Sequence, residues 1–404
     1  MRTRPEPESL LVTDVALFDD ATPDTFSWQK KRDAGYRRGE MKTWLEHFPH
    51  WRDPIVVHRA IADVLDAGPR DEEELAFAQA VDLAPKTEVH VHAEAAVPAD
   101  FYRGLVLPGA QPMSTGPFAD FADFLNRWIG NLALRRRSDD YAALARAFVE
   151  DRGARRIVRT ECHFSPLDTS LYRSRFGSQL PALDLADNIA CFAVGLRDGM
   201  AAASGRVRVR AIVDLVYLAK EADLDAAFAV LRRFVTSPDN RDDTGERIIV
   251  GIGLGGGELP ERADFLAQAL GRFRALGLKL DLHSGEQPKV TPAEHARALE
   301  VLQPERVGHG IRGADAGFFF DGALAACPLS NVVLRCHAAG LATHPVGEMV
   351  RRGLNVSVNT DDPLLFGTNL VIEYVALRRA FAFDRDFFAT TQANARRQLF
   401  AVDG

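Results

Sequence analysis

Cysteine is scarce in this sequence of 404 residues, which contains only Cys162, Cys191, Cys327 and Cys336. Four cysteines in so long a chain cannot form the disulfide framework of a small secreted protein. No two of them are three residues apart, as a pair of thiolate metal ligands requires. This usage is typical of a protein from a reducing cytoplasm, which is the localisation we expect.

The sequence also lacks long apolar runs and an excess of positive charge. No stretch reaches the roughly 18 uninterrupted apolar residues of a membrane span. The first eight residues include two arginines and two glutamates, so they are too charged to begin a signal peptide. The formal net charge is -7, and the basic residues are scattered rather than gathered in one stripe. We therefore expect a protein that binds neither membranes nor nucleic acids.

The chain does contain a regular alternation of segment types. From about residue 87, short β-branched runs alternate with longer stretches rich in Ala, Leu and Arg, which is typical of βα units around a parallel sheet. Eight such units over about 300 residues predict an α/β fold, a TIM-type (β/α)8 barrel. The predicted strands span residues 87–93, 157–164, 207–217, 247–254, 278–283, 306–311, 323–328 and 354–359.

The first part of the chain precedes this alternation. Charged stretches with helical character over residues 28–50 and 53–80 predict a helical N-terminal extension, residues 1–84, which packs on a barrel domain formed by residues 85–404. This extension either covers one face of the barrel or builds a dimer contact, so the sequence leaves a homo-oligomer open.

Two segments between the first two predicted strands are interpreted as structural. Residues 135–137 are three arginines, which we interpret as a solvated helix face. A second segment has apolar residues at helical spacing, which favours the buried face of a helix over a hydrophobic lid above a ligand. These apolar residues are Phe118, Phe121, Phe124, Leu125 and Trp128.

Side chains suited to catalysis occur where the predicted strands end. In Glu88-Val-His-Val-His92, the strand period of two places both histidines on one face. Strand five ends in Asp281-Leu-His-Ser-Gly-Glu286, strand six in Gly308-His-Gly310 and strand eight in Asn359-Thr-Asp-Asp-Pro363. Because the active site of a TIM barrel forms at the carboxyl ends of its strands, we expect these side chains to meet.

These residue types suit a hydrolytic metal centre. Zinc binds imidazole nitrogen and carboxylate oxygen, and a catalytic zinc site keeps one position open for water, whose pKa falls to about 7. Hydrolysis at an aromatic amidine carbon also needs an acid and a base, for which Glu286 and His309 are candidates. The candidate zinc ligands are His90, His92, His283 and Asp361.

In combination, the motifs resemble the adenosine deaminase family from about residue 85 to the end of the chain. By this resemblance, the protein is expected to be a zinc-dependent aminohydrolase that releases ammonia from an adenosine-like aminopurine nucleoside. The motifs are Pro85-Lys-Thr-Glu-Val-His-Val-His92, His283-Ser-Gly-Glu286, Gly308-His-Gly310, Cys327-Pro-Leu-Ser-Asn331, His344-Pro345 and Asn359-Thr-Asp-Asp-Pro363.

The same resemblance implies a role for each site residue. Glu286 would donate a proton to N1 of the purine, and His309 would orient or deprotonate the zinc-bound water. Asp362 would hydrogen-bond N7, and Gly256 would offer its backbone amide to N3. The zinc ligands would be His90, His92, His283 and Asp361, and His92 would also lie against the substrate.

Several positions depart from the pattern of adenosine-specific members of this family. Ala93-Glu-Ala95 replaces Leu-Asp-Gly or Leu-Glu-Gly, although Glu94 could still contact a sugar. In Glu161-Cys-His-Phe-Ser-Pro166, His163 replaces an arginine, and we interpret it as a structural residue that holds the strand-end network. Val216-Tyr-Leu218 and Gly251-Ile-Gly-Leu-Gly-Gly-Gly-Glu258 also differ from the pattern, near the predicted mouth.

These departures leave alternatives for the function. Another aminopurine is the first of them: free adenine, aminodeoxyfutalosine, an adenosine phosphate or a modified nucleoside. A barrel that binds a purine without turnover is the second. The third is a dinucleotide-binding fold, since Gly251-x-Gly-x-x-Gly256 matches its glycine pattern, but that fold would give the histidine and aspartate motifs no role.

Overall fold

A computed structural model describes residues 44–51, 61, 64, 68–105, 118–131, 134–173, 175 and 180–401 of the protein. Within this part of the chain, eight strands form one parallel sheet in sequence order. An isolated bridge between Val91 and Asp361 joins the two edges of the sheet. The predicted TIM-type (β/α)8 barrel is confirmed. The strands are β1 Lys86–Glu88, β2 Ile157–Phe164, β3 Arg208–Val216, β4 Ile249–Gly255, β5 Lys279–Ser284, β6 Arg306–His309, β7 Ala323–Ala326 and β8 Val356–Val358.

Helices cover the outside of this barrel. Among the described residues, no helix is both long enough and apolar enough to cross a bilayer. The helices are α1 Trp44–His47, α2 Glu72–Leu83, α3 Ala99–Leu105, α4 Phe121–Asn131, α5 Asp139–Ala154, α6 Leu185–Ala202, α7 Glu221–Thr236, α8 Ala263–Arg274, α9 Pro292–Leu302, α10 Pro328–Val333, α11 Val346–Arg351, α12 Pro363–Phe366, α13 Leu370–Phe381 and α14 Arg385–Arg397.

The first strand is shorter than the sequence predicts. β1 ends at Glu88 rather than at residue 93, because the chain beyond it makes only single bridges to its neighbours. Val91 pairs with Asp361, and His92 pairs with His163. The backbone remains extended there, so the two predicted histidines still project from the strand end.

Charged side chains occupy the interior of the barrel. The guanidinium of Arg306, which is fully buried, donates hydrogen bonds to Glu161 at 2.7 Å and to Asp281 at 2.9 Å. The second oxygen of Glu161 accepts from the backbone N–H of Phe400, whose ring lies 4.3 Å from the guanidinium carbon. Both carboxylates are thus paired with a cation, as buried charges require.

The described part of the predicted extension packs on the C-terminal helices. Trp44, Phe48 and Trp51 are buried and stacked on one another. The guanidinium of Arg379, on α13, lies over the Trp44 ring and pairs with Glu74 of α2. Much of the predicted extension, including residues 1–43, lies outside the described residues.

Both interpretations of the segments between β1 and β2 need revision. In α4, Phe124 is buried against Phe366, but Phe121, Leu125 and Trp128 are only partly buried and line a cavity. The helix is therefore both a packing element and a cavity wall.

The interpretation of residues 135–137 as a solvated helix face is wrong, because they lie before the first residue of α5 and not in a helix, and because Arg135 is buried. Its side chain is only 2% exposed, because its guanidinium is covered by the ring of Tyr141.

The interior ion pairs predict a large effect on stability. Replacement of one partner leaves a buried charge uncompensated, at a cost of about 3–5 kcal/mol. We expect Arg306→Met to lower the free energy of unfolding by about that amount in urea denaturation. Arg297→Met removes an exposed pair with Asp264 and should cost about 1 kcal/mol or less. Equal losses in the two variants would contradict the importance of the interior network.

Candidate active site

Histidine and aspartate side chains from three strand ends meet at one point of the barrel mouth. Nε2 of His92 lies 3.1 Å from Nε2 of His283 and 3.4 Å from Oδ1 of Asp361. Nε2 of His90 lies 3.8 Å from the same carboxylate oxygen. Three of the predicted ligands, His90, His283 and Asp361, form one group of possible metal ligands together with His309. The fourth, His92, is grouped with Asp361 and Asp362 instead, although its Nε2 also contacts His283.

The spacing of these atoms fits a single metal ion. Ligand atoms at about 2.0–2.1 Å from a tetrahedral ion are about 3.3 Å apart, and the observed separations are 3.1, 3.4 and 3.8 Å. Nε2 of His90 is buried without a hydrogen-bond partner. A buried imidazole nitrogen with a free lone pair and a carboxylate beside it can bind a divalent cation, and these donor types suit zinc.

Two aspartates lie behind the histidines. Nδ1 of His92 lies 3.4 Å from Asp214, and Nδ1 of His90 lies 3.6 Å from Asp281. Carboxylates in these positions hold the orientation of metal-binding imidazoles. His163 connects the pair, with its Nδ1 at 2.7 Å from Asp214 and its Nε2 at 2.9 Å from Asp281. Burial lowers the pKa of His163, but the two carboxylates outweigh burial and raise that pKa to about 9.

Asp361 is held from both its backbone and its side chain. Its φ of 63° lies in the left-handed region, which an aspartate adopts at some cost. The backbone N–H of His92 donates to its carbonyl oxygen at 2.9 Å. The hydroxyl of Ser330 donates to Oδ2 at 2.6 Å, which leaves Oδ1 directed toward the histidines.

Glu286 is positioned by another carboxylate. Glu258 accepts hydrogen bonds from the backbone N–H groups of three successive residues, 285, 286 and 287, at 2.7 to 2.9 Å. This arrangement fixes the loop after β5 that carries Glu286. Burial raises the pKa of the Glu286 carboxyl well above its usual value, and the nearby charges of Asp361 and Glu258 raise it further. A protonated Glu286 can donate a proton.

His309 lies beside Glu286 at the end of β6. Its φ of 65° is in the left-handed region, and its Nε2 lies 3.7 Å from Oε2 of Glu286. Its Nδ1 lies 3.1 Å from the side-chain amide of Asn331. The ring is almost fully buried, so its position is set by these contacts.

A cavity of about 390 Å³ opens at this cluster. This volume lies within the usual range of small-molecule sites. Its wall includes five residues with a predicted catalytic or substrate-binding role: His92, Gly256, Glu286, His309 and Asp362. Oδ1 of Asp362 is buried without a hydrogen-bond partner, so it is free to bind a ligand. Apolar residues of α4 form another part of the wall.

Glu94 is the one predicted substrate-binding residue that does not line this cavity. It is 1% exposed, and its Oε1 accepts a hydrogen bond from the backbone N–H of Ser165 at 2.8 Å. Its placement gives no support to the predicted sugar contact.

Glycines are required where the barrel interior is tightest. A Cβ on Gly308 would lie 2.4 Å from Cε1 of His90, and one on Gly253 would lie 2.0 Å from Oδ1 of Asp214. These glycines of β4 and β6 therefore leave room for polar side chains in the barrel. The dinucleotide-binding alternative is not supported, because β4 is followed by the loop that carries Glu258 and not directly by a helix.

Sequence reasoning missed the residues that support the site. Asp214 lies in the middle of β3, and Glu258 and Ser330 lie inside motifs without an assigned role. The detectable signal was a carboxylate in an otherwise apolar strand, Ala211-Ile-Val-Asp-Leu-Val216. A buried charge in such a strand needs a partner.

Comparison with known proteins agrees with this geometry. The family model described as adenosine deaminase matches residues 85–403. An adenine deaminase of Rhodospirillum rubrum is 28% identical over 333 residues, which cover 78% of this chain and 92% of that protein. The crystal structure of an adenine deaminase from Arthrobacter aurescens is 26% identical with a TM-score of 0.63, and the match covers 79% of this chain and 94% of that one.

An amidohydrolase structure from Burkholderia ambifaria with bound zinc shares the fold. Its TM-score is 0.64 at 21% identity, over 82% of this chain and 89% of that one.

The contacts of Glu258 predict how the loop around Glu286 responds to substitution. Glu258→Gln keeps the shape of the side chain but places an amide N–H against backbone N–H groups that need an acceptor. An unmet buried donor costs about 1–3 kcal/mol, so hydrogen exchange at residues 285–287 should accelerate by at least about fivefold. Glu261→Gln, at an exposed position nearby, is the control. Unchanged exchange in Glu258→Gln would show that the loop does not depend on this carboxylate.

Proposed function

This chain belongs to the adenosine deaminase family, and we propose that it removes the exocyclic amine of a 6-aminopurine by hydrolysis. The observation that carries the proposal is the convergence of three histidines and an aspartate in one group of possible metal ligands at a cavity, with His92 and Glu286 on the cavity wall beside them. The group consists of His90, His283, His309 and Asp361. The overall reaction consumes one water and releases one ammonia. A barrel that binds purines without turnover would not need the two residues suited to proton transfer.

We propose zinc as the cofactor. Its ligands would be three imidazoles and one carboxylate, the ligand types that zinc takes in catalytic sites. When bound, zinc lowers the pKa of a coordinated water to about 7 and so supplies a nucleophile at neutral pH. The proposed ligands are His90, His92, His283 and Asp361.

The protein side chains would handle protons around the attacked carbon. Glu286 would donate its proton to the ring nitrogen next to that carbon as aromaticity is lost, which its raised pKa favours. His309 would orient the attacking oxygen. Asp362 would hydrogen-bond N7 of the purine, which fits its unpartnered oxygen on the cavity wall. Gly256 would offer its backbone N–H to N3.

We propose free adenine as the substrate. The relatives from Rhodospirillum rubrum and Arthrobacter aurescens are named adenine deaminases, and Glu94, the residue expected at a sugar, does not line the cavity. The second candidate is an adenine nucleoside or nucleotide. It is favoured by the side chains of Lys220 and Arg175, which also line the cavity and could bind an anionic or hydroxylated substituent.

The substrate proposal predicts a preference that an ammonia assay can measure. Zinc-loaded protein should release ammonia from adenine at least about tenfold faster, in kcat/KM, than from adenosine or adenosine monophosphate. Glu286→Gln keeps the shape of the side chain without its acidic proton, so it should lower kcat by about 10²–10⁴ and serves as the blank. A preference for adenosine or its phosphate would establish the second candidate. Tight purine binding without ammonia release would instead identify a non-catalytic barrel.

The ligand assignment predicts how metal content responds to substitution. Asp361→Ala should retain less than one half of the zinc of the unmodified protein after dialysis, because loss of a ligand weakens binding strongly. Asp362→Asn is the matched control, since the carboxylate of Asp362 is next to Asp361 in the sequence but is not a proposed ligand. His309→Ala should keep its zinc and lose turnover. Full zinc in Asp361→Ala, measured by atomic emission, would overturn its assignment as a ligand.

A further inference from the structure

We propose that Asn331 and His344 are positioning residues that determine which ring nitrogen of His309 carries the proton. They belong to the motifs Cys327-Pro-Leu-Ser-Asn331 and His344-Pro345, to which the proposed function assigns no role. The relay runs from the backbone of Val346 through His344 and Asn331 to His309. Its catalytic consequence rests on the proposed function, whereas the proton arrangement follows from the hydrogen bonds alone.

The first group of the relay is a backbone N–H, which can act only as a hydrogen-bond donor. The backbone N–H of Val346, the first residue of α11, points at Nδ1 of His344 at 3.1 Å. A backbone amide can only donate, so Nδ1 of His344 must accept and carries no proton. Burial lowers the pKa of His344 to about 3, so the ring is neutral and its single proton is on Nε2.

The next contact orients the amide of Asn331. Nε2 of His344 lies 3.1 Å from Oδ1 of Asn331, so the ring donates to the amide oxygen. The opposite orientation of the amide would place an N–H group of Asn331 against the N–H of His344. Because both groups would then be donors at a buried contact, that orientation is excluded.

The amide in turn selects the tautomer of His309. With its oxygen turned to His344, the Nδ2 group of Asn331 donates to Nδ1 of His309 at 3.1 Å. Nδ1 of His309 is therefore an acceptor, and in the neutral ring the proton is on Nε2. That nitrogen faces the site: it has no hydrogen-bond partner and lies 3.7 Å from Oε2 of Glu286.

This tautomer restricts what His309 can do in the reaction. An Nε2–H group donates a hydrogen bond to an oxygen bound in front of it, and it cannot be the first acceptor of a proton from that oxygen. Of the two roles considered for His309, the relay therefore selects orientation of the attacking oxygen by donation. This arrangement provides a hydrogen-bond donor that is oriented before the reaction begins.

Nuclear magnetic resonance of the zinc-loaded protein tests the relay. Long-range 15N–1H correlations of 15N-histidine-labelled protein distinguish the two tautomers, and loss of a signal in His309→Gln assigns His309. We expect Nε2–H in the unmodified protein. Nδ1–H there would overturn the proposal, and this result depends neither on a variant that folds nor on any enzymatic activity.

We expect Asn331→Asp to reverse the tautomer of His309. A carboxylate accepts from both neighbours, so His309 should switch to the Nδ1–H tautomer while the side chain keeps its size. Zinc content and KM should stay within about twofold of the unmodified protein. The kcat should fall at least about tenfold, because the variant loses the oriented Nε2–H donor of His309. A variant that switches the tautomer and keeps its kcat would refute the role in the reaction.

Asn240→Asp provides a matched control. Asn240 is fully buried, it accepts from the backbone N–H of Ile249 and donates to Val235, and it lies outside the relay. This variant should leave the tautomer of His309 unchanged, and a switch in it would show that the method does not report on the relay. If His309 of the unmodified protein is the Nε2–H tautomer but no aminopurine is deaminated, the proton arrangement is supported and the proposed function is overturned.

Discussion

The buried carboxylate of Asp281 is the charge on which the rest of the site depends. It is fully buried near the centre of the barrel, where an unpaired anion would be strongly destabilising. His163 and Arg306 each donate to it at 2.9 Å. Nδ1 of His90 lies 3.6 Å away on the side of the candidate metal centre. One anion therefore links the stability of the barrel interior to the orientation of a site histidine.

Two site residues have a strained backbone at the same end of the barrel. His309 and Asp361 both have positive φ, a conformation that costs a residue other than glycine about 1–3 kcal/mol. Each is held in it by contacts to side chains of the segment after β7: Asn331 contacts the ring of His309, and Ser330 contacts the carboxylate of Asp361. That segment thus supports two site residues from two other strand ends.

The departures from the family pattern on strands two and four belong to one cluster. A Cβ at Gly253 would lie 2.0 Å from Oδ1 of Asp214 and 2.8 Å from Nδ1 of His163. The glycine therefore makes room for the pair of Asp214 and His163, and Asp214 in turn lies 3.4 Å from His92. His163 and Gly253 therefore lie inside the barrel, where they act on the orientation of a proposed metal ligand. The end of the same strand-four segment, Gly255 to Gly257, lines the cavity at the mouth, where the sequence placed this departure.

The sequence by itself was sufficient to predict the barrel and to locate candidate site residues, because both follow the repeat of the βα unit. Strands repeat with the βα unit, and the histidine and aspartate motifs follow the ends of those strands, so His283 and Asp361 could be located without coordinates. The tertiary structure alone decided which groups support them. The link from His344 to His309 through Asn331 joins side chains that are 13 and 22 residues apart, and the link from Asp214 to His92 crosses the barrel. No local pattern encodes such contacts, since they depend on which strand ends and following segments the folded barrel brings together.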